Sequence, residues 1–336
     1  MYSRELLRAI FAGTQTERCG FWLGQPDRAS WPLYFRYFQV DEDESLRCLL
    51  GDDFRWIVPG ESCYKHPEGK PIFEMTREHE GLSAGGPFAH CESVSEVEAF
   101  PWPDPDYLDF TETLEALRRA GDYYRASGMW SCFFHNVADF FGMDNYFVKM
   151  YTNPDVVEAV TKHVCEFYLE ANRRLFEQAG GLIDGFFFGN DFGTQRSLLI
   201  SPGLFDRFVM PWFRRFTNQA HTYGLQAILH SCGAIHEVIG RLIDAGVDVL
   251  HPLQAKAEGM DAETLARDFG GRIAFLGGID TQELLIHATP AEVEAEVYRV
   301  KRLLGPSVVI SPSHEALLPN VPPENVEAMA RAVREW

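Results

Sequence analysis

From about residue 110 onward, apolar positions switch between helical spacing and short continuous runs. Leu114, Leu117 and Ala120 recur at helical intervals and predict a helix over 111–126. The run 129–134 is short and apolar and predicts a buried strand. A long helix is predicted from Pro154-Asp155 to Gly180-Gly181, where glycines suit a helix C-terminus. Further strands are predicted at 184–188, 225–229, 247–250, 273–276 and 307–310. Between and after them, helices are predicted at 202–222, 235–245, 262–269, 290–304 and 323–336. The front of the chain adds strands at 32–35 and 54–58, on either side of an acidic helix at 41–50. Eight strand–helix units is the number that closes a parallel barrel. The expected fold is therefore an α/β (β/α)8 barrel (a TIM barrel) with an N-terminal elaboration. An open doubly wound sheet is the rival, but no Gly-x-Gly-x-x-Gly follows any strand. Residues 60–100 interrupt the alternation with Gly, Pro and charges, and predict an insertion of loops and short strands near the barrel mouth. No repeat or linker divides the chain, so one domain is expected over 1–336.

Charge narrows the partners. With 30 Lys+Arg and 49 Asp+Glu the formal net charge is −19, which repels nucleic-acid backbones and anionic membrane surfaces. Seven cysteines without CxxC spacing argue against a disulfide framework, and a reducing cytoplasm is the expected compartment. The first residues are amphipathic and helical in pattern, unlike a signal peptide. No apolar run reaches the length of a membrane span.

Candidate chemistry falls at the carboxyl ends of successive strands, where barrels of this kind place their active sites. His230-Ser-Cys232 follows the 225–229 strand. Residues i and i+2 of a strand share a side, so imidazole and thiol suit two ligands of a zinc ion. The alternative is a buried thiol beside a hydrogen-bonded histidine, with no metal. His314 is the first candidate for a third ligand, ahead of Asp191 and Glu315. Asp191, in a Gly-flanked turn after the 184–188 strand, is a candidate general acid/base with a raised pKa; a solvated turn residue is the other reading. Gln195, Gln254 and Asp280 are candidate substrate-binding residues. His221, His236, His251 and His287 are read as structural.

Several segments resemble the uroporphyrinogen decarboxylase superfamily, and more closely its corrinoid-linked methyltransferase branch. They are Asp184-Gly-Phe-Phe-Phe-Gly-Asn-Asp-Phe-Gly-Thr-Gln195, Leu198-Leu-Ile-Ser-Pro-Gly-Leu-Phe205, Ile228-Leu-His-Ser-Cys-Gly233, Gly277-Gly-Ile-Asp-Thr-Gln282, Ser311-Pro-Ser-His314 and Val321-Pro-Pro-Glu-Asn-Val-Glu-Ala-Met329. The resemblance is good over about 105–336 and loose over the divergent first 110 residues; it too implies a (β/α)8 barrel. The decarboxylase itself carries an Arg-Gln-Ala-Gly-Arg motif after its first strand. Here the stretch reads Arg36-Tyr-Phe-Gln-Val40, so Arg36 alone survives as a substrate-binding candidate. Arg55 stands where the catalytic aspartate is expected. A porphyrinogen with many carboxylates is a poor match to that loss and to a charge of −19. The methyltransferase branch implies zinc on His230 and Cys232, with a further cysteine near the last strand, where this chain has His314. The resemblance thus implies methyl transfer between a small methylated compound or thiol and a corrinoid carried on a partner protein. Zinc would sit on His230, Cys232 and His314, Asp191 would act in catalysis beside His230 and His314, and a homodimer is expected. The alternatives are a decarboxylase of a smaller carboxylated substrate and a non-catalytic tetrapyrrole-binding barrel.

Overall fold

The computed structural model describes residues 2–73, 75, 81 and 84–335. Eight parallel strands run in the order β1-β8-β7-β6-β5-β4-β3-β2 and form a nearly closed barrel. They are β1 (Gly20–Phe21), β2 (Phe54–Trp56), β3 (Tyr124–Ser127), β4 (Gly185–Gly189), β5 (Gln226–His230), β6 (Val249–His251), β7 (Ala274–Ile279) and β8 (Val308–Pro312). Helices cover the outside of the sheet. Both faces are therefore buried, and the strands read as apolar runs whose alternate residues enter different cores. Phe187, Ile228, Val249, Leu276 and Val309 pack inside the barrel. Phe186, Phe188, Leu229, Leu250 and Ile310 pack outward against the helices.

No ladder joins β1 to β2, and carboxylates take its place. The Asp53 amide donates to the Phe21 carbonyl at 2.9 Å, and the Phe21 amide donates to Asp53 Oδ2 at 3.0 Å. The Leu23 amide donates to Asp52 Oδ2 at 3.2 Å. Two buried acids in one turn need counter-charge. Arg18 grips Asp53 at 2.7 Å, and Arg47 grips Asp52 at 2.8 Å.

The N-terminal helix (Ser3–Phe11) closes the opposite end of the barrel. Leu6, Leu7, Ile10 and Phe11 lie on one face of it, as helical spacing demands, and join the interior core. Arg4 and Arg8 on the same helix hold the buried Asp184 carboxylate, just before β4, at 2.8 and 3.0 Å.

Three sequence expectations are corrected. Residues 32–35 belong to a helix (Trp31–Phe38), and the first strand is the two-residue β1. Pro32 near the helix start is compatible with helix, while two residues are too few to show periodicity. The expected 111–126 helix ends at Arg119, and β3 occupies 124–127. The 129–134 run then leads into the helix Phe133–Phe141. Among its described residues, the 60–100 insertion contains helical turns at Glu61–Cys63 and Val94–Glu98 and one bridge from Tyr64 to Leu108, without the strands expected. Residues 74, 76–80 and 82–83 of that insertion lie outside the described residues, as does Trp336. Among the described residues, no helix is long and apolar enough to cross a membrane.

Candidate active site

His230 is the last residue of β5 and His251 the last of β6, paired in register across the sheet. Asp191 lies two residues beyond β4, Cys232 two beyond β5 and Glu315 three beyond β8. The β4 and β5 loops run backbone against backbone, so both need glycine. A Cβ on Gly193 would come within 2.6 Å of the Ala234 nitrogen, and Gly233 has φ +88°. This approach lets Asp191 Oδ1 accept the Cys232 amide at 2.8 Å. Gln254 Oε1 fixes the next residue by accepting the Gly233 amide at 2.7 Å.

Three potential ligand atoms converge here. His230 Nε2 lies 3.4 Å from Cys232 Sγ and 3.4 Å from Asp191 Oδ1. A tetrahedral zinc ion with N, O and S bonds of roughly 2.0–2.3 Å sets its ligands about 3.3–3.8 Å apart. The donor set and the two distances from His230 Nε2 fit such an ion. A second group, His230, His251 and Glu315, meets the other nitrogen of the same ring. His230 Nδ1 is 3.0 Å from His251 Nδ1 and 3.4 Å from Glu315 Oε2.

The electrostatics describe one cationic position wrapped in acceptors. Burial disfavours charge on His230, yet Asp191, Cys232 and Glu315 outweigh it and push the imidazole up to about 10. Burial likewise opposes the Asp191 carboxylate. His230, the Cys232 amide and His135 override it and hold Asp191 at about 2. The raised pKa expected for Asp191 is thus reversed, because the turn delivers partners for the charged form. Burial alone would raise the Cys232 thiol, but His230 and His314 bring it below its ordinary value. A proton on His230 occupies the place where a dication would neutralise the same two groups.

His251 supports this arrangement from behind. Burial, then the neighbouring His230 and His314, depress its pKa far below the usual value, so it stays neutral. If His230 offers Nε2 as a ligand, its Nδ1–H donates to His251 Nδ1, the outer-shell bond that orients metal-bound histidines. His251 then carries its hydrogen on Nε2, a buried atom with no partner in the structure. Its ring packs on Trp22 and Phe187, with centroids 5.3 and 5.2 Å apart. Phenylalanine at 251 keeps that packing and removes the acceptor. His251→Phe should weaken zinc binding about 10- to 100-fold with little change in thermal stability; an unchanged affinity in a chelator competition would remove His251 from the site.

The other expected residues are placed as follows. His314 borders the group, its ring centroid 6.2 Å from that of His230, and with His230 it lowers the pKa of the Cys232 thiol. Its Nδ1 accepts the Ala316 amide at 3.1 Å, so its hydrogen sits on Nε2. The geometry around His230 Nε2 favours Asp191 over His314 as third ligand. Asp280 is also reassigned. Its carboxylate is taken up by the amides of Gln282, Glu283 and Leu284, which makes it a turn-forming residue. Gln195 is exposed, and Arg36 is exposed on the helix Trp31–Phe38 instead of ending a strand. Arg55 pairs with Glu44 at 2.8 Å and lies 3.8 Å over the Tyr123 ring. Sequence reasoning missed His251 and His135 and ranked Glu315 low. The available signal for His251 was its place at the end of β6, level with His230.

One family model and one solved structure agree with this architecture. The model of the family described as uroporphyrinogen decarboxylase (URO-D) matches residues 85–336. No curated protein matches the chain. Among solved structures, a methyltransferase from Methanosarcina mazei superposes with a TM-score of 0.66 at 16% identity, covering 100% of this chain and 99% of that one. Dispersin B gives a TM-score of 0.42 at 12% identity, covering 95% and 98%. The likeness to the methyltransferase is one of fold. The family match spans well over half of the sequence, including every strand from β3 to β8 and the group Asp191, His230 and Cys232, and the chain belongs to the uroporphyrinogen decarboxylase family.

Proposed function

We propose that this protein is a zinc-dependent methyltransferase that moves a methyl group between a small methylated compound or thiol and a corrinoid carried on a partner protein. The observation that carries the zinc reading is the pair of 3.4 Å distances from His230 Nε2 to Cys232 Sγ and Asp191 Oδ1. His230, Cys232 and Asp191 would hold the ion. A bound zinc ion supplies Lewis acidity toward the substrate heteroatom. Asp191 also anchors the Cys232 amide and so fixes the thiolate. His314 stands beside the group and can hold a proton near the reacting heteroatom. Family membership and the methyltransferase fold support the choice of reaction. Against porphyrinogen decarboxylation stand Arg36, exposed on a helix, and Arg55, engaged by Glu44.

The test is to mix zinc-loaded protein, a Co(I) corrinoid protein and methylated compounds, and to follow the cobalt absorbance. Zinc-dependent loss of Co(I) supports the reading. Release of CO₂ from a carboxylated substrate that survives zinc removal overturns it in favour of a decarboxylase.

Zinc uptake should also depend on pH in a definite direction. Metal-free His230 titrates at about 10, so below that value the ion must displace its proton. Protons compete with metal, and affinity rises with pH by at least about tenfold per unit from about pH 6 to about pH 9. Competition titrations across that range should show the slope; a flat profile would exclude His230 as a ligand.

A further inference from the structure

The loop after β3 turns on Ser131, whose φ is +50°. That left-handed conformation is uncommon for residues other than glycine. Two fully buried asparagines from separate elements hold it. Asn172, on the helix Pro154–Ala179, accepts the Met129 amide at 2.7 Å and donates to Ser131 Oγ at 3.1 Å. Asn190, next after β4, donates to the Ser131 carbonyl at 3.1 Å and accepts the Phe134 amide at 2.9 Å. A strained residue held by several buried hydrogen bonds points to a turn whose direction matters.

The turn directs Trp130. The Trp130 carbonyl accepts the Gly189 amide at 3.0 Å, and the indole lies where a Cβ on Gly189 would overlap its six-membered ring. Gly189 ends β4 in register with His230. Register partners point their side chains to the same side of the sheet, so a side chain at 189 would stand beside the imidazole. Glycine leaves that place open, and the indole fills it. The Trp130 ring centroid lies 5.4 Å from that of His230, with the planes at 59°. The indole is fixed in turn by Trp56 and Phe187, at 5.2 and 5.8 Å. Rotation of a histidine ring about its last torsion has broad minima. Its orientation is therefore set by what packs against it.

We propose that Trp130 is a positioning residue for His230: its indole, aimed by the Ser131 turn and admitted by Gly189, keeps Nε2 turned toward Cys232 and Asp191. The consequence for metal binding rests on the zinc reading, whereas the orientation of the ring does not. Two measurements keep them apart. In metal-free protein carrying ¹⁵N-labelled histidine, the ring N–H signals of His230 should exchange with solvent at least about tenfold faster after Trp130→Ala. In chelator competition, Trp130→Ala should weaken zinc binding by about tenfold or more. Trp130→Phe, which keeps a ring in place, should recover most of that loss.

Gly189→Ala should reproduce the loss by pushing the indole aside. The two changes should not add. Alanine at 189 has nothing to displace once the indole is gone, so the double variant should bind zinc within about twofold of Trp130→Ala alone. Two unrelated folding defects would multiply instead. Unchanged ring exchange or unchanged zinc affinity in Trp130→Ala, or losses that multiply in the double variant, overturns the proposal. Faster ring exchange in Trp130→Ala, with no zinc bound by the unaltered protein, keeps the positioning role and removes the zinc reading. Zinc binding that is identical in the unaltered protein and in Trp130→Ala does the reverse.

Discussion

Replacing His230 with alanine should reduce bound zinc from about one equivalent to below about a tenth and lower methyl transfer by about three orders of magnitude. His230 is the only residue shared by both ligand groups. Its Nε2 faces Cys232 and Asp191, while its Nδ1 faces His251 and Glu315. Alanine leaves two anionic ligand groups without the nitrogen between them. It also leaves His251 and Glu315 without the ring that they orient. The several kcal/mol contributed by a Lewis acid at the reacting heteroatom would then be lost. Metal analysis of protein purified without chelator, paired with the cobalt assay, reads both effects. Equal zinc content in the unaltered protein and the variant would end the zinc hypothesis, whatever the activity.

Asp184→Ala should destabilise the fold by about 3–5 kcal/mol, although it lies at the end of the barrel away from the site. The carboxylate is fully buried. It accepts Arg4 Nε at 2.8 and 3.0 Å, Arg8 Nη1 at 3.0 Å and the Arg125 amide at 3.1 Å. Arg125 itself is buried, with Nε 3.7 Å from the same carboxylate. Alanine strands that guanidinium and releases the helix Ser3–Phe11, whose apolar face completes the interior core. Urea unfolding should show a lower midpoint with zinc affinity retained in the protein that remains folded. A loss below about 1 kcal/mol would mean that apolar packing alone seats the helix.

Local pattern was sufficient where elements are long or bounded by strong turn chemistry. The helices Ala262–Phe269 and Pro290–Leu304 have the predicted limits, and the latter begins with a capping box from Thr289 to Glu292. Strands β4 to β8 fall within a few residues of their predicted places, because both faces are buried and each forms a short apolar run between helices. The pattern failed at β1, where two residues carry no period, and at β3, whose Arg125 looks exposed in sequence but is buried beside Asp184.

By itself, the sequence determined a parallel eightfold barrel in its later strands, a net charge hostile to polyanions, and a histidine–thiol pair at a strand end. These follow from local periodicity, composition and the two-residue repeat of a strand. Only the tertiary structure decided which residues surround that pair. Asp191 reaches His230 because Gly193 and Gly233 let two loops touch. His251 reaches it because β5 and β6 end in register. His314 gives up Nδ1 to Ala316, so it stands at the edge of the group. Asp280 spends its carboxylate on its own turn. Each depends on the register of separate strands or on the direction of one hydrogen bond, and neither is written in local sequence.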